Sequence, residues 1–381
     1  MASTSTHAAP AATKEKLTPV KTLEDHQDFI QSMAYFPDGK RIISGSDDKT
    51  ARQWDMQAGK EIKKERDVCQ WEVRAVAVSR NGRWVVIAGG NDDHTELKAC
   101  EVETGIMKAF RGHSQEIKCI DISPDSMLLA SGSRDETVRI WSLSVGTSFE
   151  GHTDVINSIA LSFDGALLAS GSRDDTIKLW DFESRHLLAS FHGHDGGIQC
   201  MSYFPDGKRI ISGSWDKTAR QWDLQAGKEI TGIVKSFQGH SKVITCIDIS
   251  ADGTLLASGS GDHTARLWNL DTGKLVAAPF EGHTKVINSV ALSFDGGLIA
   301  SASGDHTIRL WAFESRQLLA SFVVRLPHCI ILSPDSRQIT YTTYSNIYVC
   351  NTPSNILASI GLATDGHPEV RLYSFTHLRY T

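Results

Sequence analysis

Histidine, serine and aspartate recur together along this chain at a constant spacing, and they are the residue types of a nucleophilic catalytic triad. One set consists of His152, Ser172 and Asp174, and Trp180 follows it. An enzyme needs one such constellation, whereas a structural brace is needed in every repeated unit. The repetition therefore favours a structural role, and we predict no catalytic residue. Histidine, aspartate and tryptophan recur with the same spacing in five further sets: His26, Asp48, Trp54; His113, Asp135, Trp141; His194, Asp216, Trp222; His240, Asp262, Trp268; and His283, Asp305, Trp311.

The seven cysteines form no CxxC pair and have no zinc-ligand spacing. Cys119, Cys200 and Cys246 each follow a histidine of these sets at the same distance, at a position that serine occupies in other copies. This pattern favours buried, inert thiols over a metal site. We therefore predict no metal and no cofactor, and the scattered, odd number of cysteines indicates a reducing compartment, the cytosol or the nucleus.

The composition excludes several classes of partner. The net charge is −6 and the pI about 6.2, which disfavours nucleic acid. No stretch approaches the roughly 18 apolar residues of a membrane helix, so we expect no membrane contact. Residues 1–16 are rich in Ala, Ser and Thr without an apolar core, and we predict a disordered N-terminal tail there.

Internal repetition extends over most of the chain. The segment that begins at Tyr35 differs from the segment that begins at Tyr203 at two positions, and the segments that begin at Gly151 and Gly282 are also closely similar. Six copies end at a tryptophan. Two degenerate copies end near Cys100 and Cys350, which makes eight units spaced 39 to 46 residues apart.

Each unit contains short strands separated by turns. In the fourth unit, residues 155–161 alternate between apolar and polar, 163–165 have turn residues, 167–170 are apolar and 176–180 alternate again. These three strands, together with one from the link to the next unit, make a four-stranded sheet. Such a sheet cannot bury both faces alone, so we expect the copies to stack face to face and close into a ring.

The order of GH, strand, SPDG-like turn, LASGSxDxT, strand and WD resembles the WD-repeat family over roughly residues 20–353. The resemblance implies an all-β fold, a closed β-propeller of four-stranded antiparallel blades over residues 17–354. Eight units favour eight blades; seven, the commonest number in the family, is the alternative. Residues 20–24 are expected to complete the last blade, although residues 356–362, in a C-terminal extension over 355–381, are a second candidate for the closing strand.

The family also assigns the recurring residues to a hydrogen-bonded network of His, Ser, Asp and Trp that fixes the geometry of each blade. Two units depart from this pattern. The second has Cys69 and Cys100 at the histidine and tryptophan positions, and the eighth has Val323 and Cys350. We predict that these two blades are the least stable part of the ring.

Partner recognition is expected at the positions where the copies differ. In the family, the loops between the second and third strands open onto the face that most often binds partners. Arg134, Arg173 and Trp215 have the composition of a binding hot spot and are predicted to anchor an acidic or phosphorylated peptide. Alternatively, Trp215 packs on a neighbouring loop and the arginines pair with nearby aspartates. The residue before the turn aspartate, in chain order, is Asp47, Asp92, Arg134, Arg173, Trp215, Gly261 and Gly304.

These features predict a non-catalytic scaffold for protein–protein interaction, with a protein or peptide partner and no small-molecule substrate. The alternative is a sensor module, because the near-identical copies resemble those of fungal proteins that join a NACHT nucleotide-binding domain to WD repeats. The chain contains no GxxxxGK(S/T) phosphate loop, so a sensor would act with a separate nucleotide-binding signalling protein. A propeller hydrolase is a remote alternative, since the short, uniform loops leave little room for an active site.

Overall fold

Antiparallel meanders arranged in a ring make up the described part of the chain. The computed structural model describes residues 19–359 except 66–68, 92–93, 127, 143–145, 163, 183, 185, 225–232, 277, 294–296, 314 and 334–335. Eight sheets form eight blades, so the predicted eight-bladed β-propeller is confirmed and the seven-bladed alternative is wrong. The predicted tail at residues 1–16 lies outside the described residues.

The ring is closed by the N-terminal strand. Strand β1 (Lys21–Glu24) pairs antiparallel with the last strand of the chain, so that Lys21 lies opposite Val349 and Glu24 opposite Asn346. The alternative closing segment at residues 356–362 does not form a strand where it is described. Instead, helix α1 (Ser354–Ser359) follows the last strand, and residues 360–362 lie outside the described part.

The first four blades each contain four consecutive strands in the order of the chain. Blade 1 contains β2 (Ile30–Tyr35), β3 (Arg41–Ser46), β4 (Ala51–Asp55) and β5 (Lys60–Glu65). Blade 2 contains β6 (Val73–Val78), β7 (Trp84–Gly90), β8 (Thr95–Glu101) and β9 (Met107–Phe110). Blade 3 contains β10 (Ile117–Ile122), β11 (Leu128–Ser133), β12 (Val138–Ser142) and β13 (Gly146–Phe149). Blade 4 contains β14 (Ile156–Leu161), β15 (Leu167–Ser172), β16 (Ile177–Asp181) and β17 (Leu187–Phe191).

The other four blades follow the same meander with two variations, in blades 6 and 8. Blade 5 contains β18 (Ile198–Tyr203), β19 (Arg209–Ser214), β20 (Ala219–Asp223) and β21 (Ile233–Phe237). Blade 6 contains β22 (Ile244–Ile249), β23 (Leu255–Ser260) and β24 (Ala265–Asn269). Blade 7 contains β25 (Ile287–Leu292), β26 (Leu298–Ser303), β27 (Thr307–Ala312) and β28 (Leu318–Val323). Blade 8 contains β29 (Ile330–Leu332), β30 (Gln338–Thr342), β31 (Asn346–Asn351) and β1.

Blade 6 has an irregular segment in the fourth-strand position. Isolated bridges pair Ala265 with Phe280 and Trp268 with Leu275, so the segment follows the edge of β24 without forming a continuous ladder. Pro279 lies within this segment, and proline has no N–H group to contribute to a ladder. The segment therefore occupies the fourth-strand position of this blade, but it pairs with β24 through only two isolated bridges.

Neighbouring blades pack closely because a glycine lies on the second strand of most of them. A Cβ atom on Gly45 of β3 would lie 2.4 Å from Cγ1 of Val73 on β6, and one on Gly132 of β11 would lie 2.7 Å from Cγ2 of Ile156 on β14. Apolar side chains fill the rest of each inter-blade layer. Because the blades share one meander, the loop between the second and third strands lies at the same end of the ring in every blade. We call this end the loop face.

Across the described residues, no helix has the length and apolar character needed to cross a membrane.

Removing the apolar contact of the closing strand tests this mode of closure. Leu23 is 1% exposed and packs with Ile347 and Val349. We expect Leu23→Ala to lower the free energy of unfolding by about 2–5 kcal/mol, the usual cost of a leucine-sized cavity, as measured by urea denaturation. Glu24→Ala, on the same strand but exposed, is the control and should leave the midpoint unchanged. Equal midpoints for the two variants would show that β1 is not needed for closure.

Candidate functional site

A chain of hydrogen bonds ties each braced blade together, and blade 4 shows its geometry. The Trp180 Nε1–H donates to Ser170 Oγ (2.9 Å), and Ser170 Oγ lies 2.8 Å from His152 Nε2. The other imidazole nitrogen, Nδ1, lies 2.8 Å from Asp174 Oδ2. An ionised aspartate only accepts, so Nδ1 carries the proton and Nε2 accepts from the serine hydroxyl.

The serine of this network is Ser170, and the sequence-based assignment of Ser172 is wrong. Ser172 lies on the same side of β15, two residues nearer to the turn. Its hydroxyl donates to the Asp154 carbonyl (2.8 Å) and accepts from the Asp174 backbone N–H (3.1 Å). Ser172 therefore fastens the turn, while Ser170 joins the ring of His152 to that of Trp180.

The same brace is present in the other five units that the repeats predicted. The distance from histidine Nδ1 to aspartate Oδ2 is 2.6 to 2.9 Å in all six. The serines that accept from the indoles have no exposed surface, so their hydroxyls cannot attack a substrate. They are Ser44, Ser131, Ser170, Ser212, Ser258 and Ser301.

The brace also determines the ionisation of its members. Burial raises the pKa of Asp174, but hydrogen bonds from His152 and Thr176 outweigh it and hold that pKa far below its usual range. In blades 6 and 7 the opposing contributions leave the pKa of Asp262 and of Asp305 at about 2. Burial lowers the pKa of His194, and its hydrogen bond to Asp216 offsets only part of this. In blade 5, a carboxylate beside a neutral imidazole is therefore the state at neutral pH.

Blades 2 and 8 have apolar or aromatic groups where the brace would be. In blade 2, burial raises the pKa of the Cys69 thiol to about 12, and Ile87 occupies the place of the serine. In blade 8, Val323 is 69% exposed and Cys350 is fully buried at the tryptophan position. Tyr341 stands at the serine position of that blade. The lower stability expected of these two blades stays a prediction.

Of the three cysteines predicted to be buried and inert, Cys119 is buried, whereas Cys200 and Cys246 are only partly buried. Cys119 has no exposed surface, and burial raises the pKa of the Cys246 thiol to about 12. The structure records all seven cysteines as free thiols. In the described part of the chain, no group of three His, Cys, Asp or Glu side chains could hold a metal ion.

A recurring backbone hydrogen bond defines the variable position on the loop face. The N–H of the residue before the turn aspartate donates to a carbonyl ahead of the first strand, as from Asp47 to Phe29 (2.8 Å) and from Trp215 to Gly197 (3.0 Å). In blade 2 the donor is Gly90, so the assignment of Asp92 to this position is wrong. The hairpin of blade 2 is longer than the others and displaces the count along the chain. Asp92 itself lies outside the described residues.

Blade 8 has a residue at this position that the sequence analysis missed. The register of β29 and β30 matches that of β25 and β26, which places Tyr344 at the position of Gly304. The Tyr344 side chain is 42% exposed. Counting back from Cys350 could have indicated it, but the turn of blade 8 is one residue shorter than that of blade 7.

Asp47 and Arg134 belong to a network of ion pairs within the protein. Arg74 Nη1 lies 2.9 Å from Asp47 Oδ1, and Arg74 Nε lies 2.5 Å from Glu116 Oε1; Arg74 also contacts Glu72. Arg134 Nε lies 3.4 Å from Glu116 Oε2. These charges neutralise one another, so Arg134 pairs as the alternative interpretation expected, although its partner is a glutamate. Arg74 and Glu116 were missed because only the packing of neighbouring blades brings the side chains of blades 1, 2 and 3 together.

Arg173 and Trp215 form a separate pair. The Arg173 guanidinium carbon lies 5.3 Å from the centroid of the Trp215 ring, a distance typical of a cation–π contact. The Trp215 Nε1–H donates to Gln199 Oε1 (2.8 Å), yet 46% of the residue remains exposed. In blade 1 the equivalent Gln31 instead donates its amide to Asp47. The structure thus brings Arg173 and Trp215 together, while Arg134 is held by Glu116.

An eight-bladed propeller with a buried His–Ser–Asp–Trp brace in six blades defines a repeat protein whose variable loops lie on one face. The family model described as "WD domain, G-beta repeat" matches residues 17–55, 105–142, 144–181, 185–223, 232–269 and 273–312, which together exceed half of the chain. The chain therefore belongs to the WD-repeat family.

Several curated proteins are similar over part of this chain. A guanine nucleotide-binding protein subunit beta from Zea mays is 32% identical over 133 residues, which is 33% of this chain and 35% of that protein. The nuclear distribution protein nudF of Aspergillus flavus is 29% identical, over 33% of this chain and 28% of its own length. The matches therefore span about a third of these relatives. The computationally designed Ika8 protein has the same fold, with a TM-score of 0.75 at 23% identity, over 88% of this chain and 99% of its own.

Loss of one brace aspartate should lower the stability of the protein, and we expect no chemical step to be lost with it. Asp174 accepts hydrogen bonds from His152, the Thr153 N–H and Thr176. Asp174→Ala leaves these donors unpaired, so we expect the free energy of unfolding to fall by about 1–3 kcal/mol in urea denaturation. Asp154→Ala, an exposed aspartate of the same blade, is the control. A loss no larger than that of the control would contradict the role of the brace.

Stability should fall on acidification below neutral pH. Burial lowers the pKa of His194, His240 and His283, so the unfolded chain takes up protons below about pH 6.5 that the folded chain does not. The contribution of these neutral histidines to the free energy of unfolding is complete above about pH 6.5 and is lost as the pH falls. Buried Asp248, whose pKa burial raises to about 6, opposes this loss. We expect a lower urea midpoint at pH 5.5 than at pH 7.5, and a steeper dependence in Asp248→Asn; a midpoint independent of pH would be inconsistent with neutral buried histidines.

Proposed function

We propose that this protein is a non-catalytic scaffold that binds an acidic or phosphorylated peptide of a partner protein on its loop face, with Arg173 and Trp215 as the anchor. The exposed cation–π pair carries this proposal. Blade 1 is nearly identical in sequence to blade 5 but has Asp47 where blade 5 has Trp215. The fold therefore does not require a tryptophan at this position, and its exposure is better explained by binding.

The chemistry of Arg173 fits an anionic partner. Among the described residues, its Nε has no hydrogen-bond partner, and the structure records a ring contact rather than a carboxylate for its guanidinium. A guanidinium that contacts an indole ring without a carboxylate partner keeps its N–H groups available for two parallel hydrogen bonds to a carboxylate or phosphate. The charges of blades 1 to 3, by contrast, are already paired with one another.

The relatives support an assembly role rather than catalysis. Their names describe a subunit of a guanine nucleotide-binding protein and, for a protein of Arabidopsis thaliana that is 27% identical over 127 residues, a cofactor of the APC complex. The buried serines and the poorly acidic thiols support the absence of a nucleophile. We accordingly propose no cofactor, metal or small-molecule substrate, a protein partner in place of nucleic acid or membrane, and a location in the cytosol or nucleus.

A sensor role is the second candidate. The units of blades 1, 3 and 4 correspond in sequence to those of blades 5, 6 and 7, so the chain contains a duplicated block. Block duplication followed by divergence at one exposed position, as between Asp47 and Trp215, would suit a module that changes its ligand. In this role the protein would act with a separate nucleotide-binding signalling protein of the NACHT type.

Substitutions at Arg173 and Trp215 test the anchor. Binding of the intact protein to arrays of acidic and phosphoserine peptides should weaken at least tenfold in Arg173→Glu, because charge reversal repels the anion. Trp215→Asp places in blade 5 the residue that blade 1 already tolerates, so it should weaken binding without lowering the melting temperature.

Lys40→Glu is the matched control, since it reverses an exposed charge on the turn between β2 and β3, at the opposite end of the ring. It should bind as the unmodified protein does. Equal binding by all four proteins would refute the anchor, and failure of the unmodified protein to bind any acidic or phosphorylated peptide would refute the partner class.

A further inference from the structure

A second part of the loop face is apolar rather than charged. Of the twelve large hydrophobic residues exposed in the described structure, five lie where blades 7, 8 and 1 meet. They precede the first strands of blades 1 and 7, end β28, or lie in the two loops of blade 8 that open onto this face. We call this set the seam surface: Phe29, Val286, Val323, Leu326 and Tyr344.

An aromatic pair lies within the seam surface. The centroids of the Phe29 and Tyr344 rings lie 4.1 Å apart, and the centroid of the His328 ring lies 6.4 Å from that of Phe29. Val286 stays open because Gly304 occupies the variable position of its blade. A Cβ atom on Gly304 would meet nothing closer than 3.7 Å.

The fold does not require these apolar residues. The position of Phe29 and Val286, directly before the first strand, is occupied by Glu72 in blade 2, Glu116 in blade 3 and Gly197 in blade 5. All of these blades form the same meander. Exposed apolar groups at one side of a face that elsewhere tolerates charged residues are typical of an interaction site.

Backbone strain at Leu326 is an independent observation. Its φ is +45°, in the left-handed region that bulky residues rarely adopt. The Leu326 N–H donates to His306 Nδ1 (3.1 Å), which holds this conformation, yet the side chain remains 42% exposed. The structure thus keeps a strained backbone without burying the leucine. Such strain is found where a side chain is presented for function.

The charges beside the seam surface indicate the character of its ligand. Lys285 precedes Val286 and Arg325 precedes Leu326; both are exposed, and neither forms an ion pair with a residue in the described part of the chain. At the blade 1 side, the Asp28 carboxylate raises the pKa of the Tyr344 phenol. The free charge beside the apolar residues is therefore positive and lies toward blades 7 and 8.

We propose that the seam surface binds an extended segment of a partner protein in which a large apolar side chain stands beside one or more acidic residues. The apolar side chain packs against Phe29, Leu326 and Tyr344, and the carboxylates pair with Lys285 and Arg325. This inference rests on the proposed function, because it assumes that the loop face binds a protein. It adds a second site, on other blades than Arg173 and Trp215.

Selection from a random library of linear 12-residue peptides displayed on phage, with the full chain as bait, tests this proposal. We expect enriched peptides to combine a large apolar residue with neighbouring Asp or Glu. A synthetic copy of the most enriched peptide should bind Leu326→Ser/Tyr344→Ser at least tenfold more weakly. Lys285→Glu/Arg325→Glu should change the selected flanking residues from acidic to basic.

The charge-reversal pair alters only exposed side chains, so it keeps the test decisive if the apolar pair fails to fold. Enriched peptides that lack the apolar and acidic combination, or binding that neither pair of substitutions alters, would overturn the proposal.

Loss of binding in Arg173→Glu alone would place the peptide at Arg173 and Trp215. The proposed function would then stand and the seam inference would be wrong. If the selected peptide still binds the seam surface and Arg173→Glu does not change the binding of acidic and phosphorylated peptides, the seam inference is supported and the Arg173 anchor is refuted. Concentration-dependent dimers that Leu326→Ser abolishes would identify a second copy as the occupant and overturn the proposal.

Discussion

The hydrogen bond between a buried imidazole and the turn aspartate is the interaction on which the loop face depends. The histidine precedes the first strand of a blade and the aspartate lies between its second and third strands, so the bond joins two loops that are 22 residues apart in the chain. In blade 5, burial keeps the His194 imidazole neutral at pH 7 and hydrogen bonds keep the Asp216 carboxylate ionised, so that each donor in the series has an acceptor. The residue before the aspartate is thereby held at a constant place in every braced blade, whatever its side chain is.

This separation of brace and variable position explains how one repeat presents different chemistry around the ring. Arg74 of blade 2 pairs with Asp47 of blade 1, with Glu72 of its own blade and with Glu116 of blade 3, so these charges are paired within the protein. Arg173 and Trp215 are left with exposed surface in blades 4 and 5, and glycines in blades 6 and 7 leave the residues beside them uncovered. The face therefore has a neutralised part, a cationic aromatic part and an apolar part. A scaffold that contacts one partner at two places, or two partners at once, requires such a division.

The seam between blades 8 and 1 differs from the rest of the ring in two ways. Blade 8 lacks the brace, so Val323 is exposed at the position where the braced blades bury a histidine. The same blade is completed by β1, which brings residues from the two ends of the propeller into one sheet. Phe29 and Tyr344, more than 300 residues apart, are in ring contact for this reason. Loss of the brace and closure of the ring together create the apolar part of the loop face.

The sequence by itself determined the period, the eight units and the brace histidines, aspartates and tryptophans, because these features repeat locally and each copy reports on the others. It also singled out Trp215, through a single difference between near-identical units. Only the tertiary structure decided that Ser170 rather than Ser172 joins the brace, since both serines lie on the same side of the strand and depth decides between them. It likewise replaced Asp92 by Gly90, because strand register and not residue count defines equivalence in a longer hairpin. The pairing of Arg134 with Glu116 and of Phe29 with Tyr344 joins residues from different loops, which only the packing of the blades and the closure of the ring bring together.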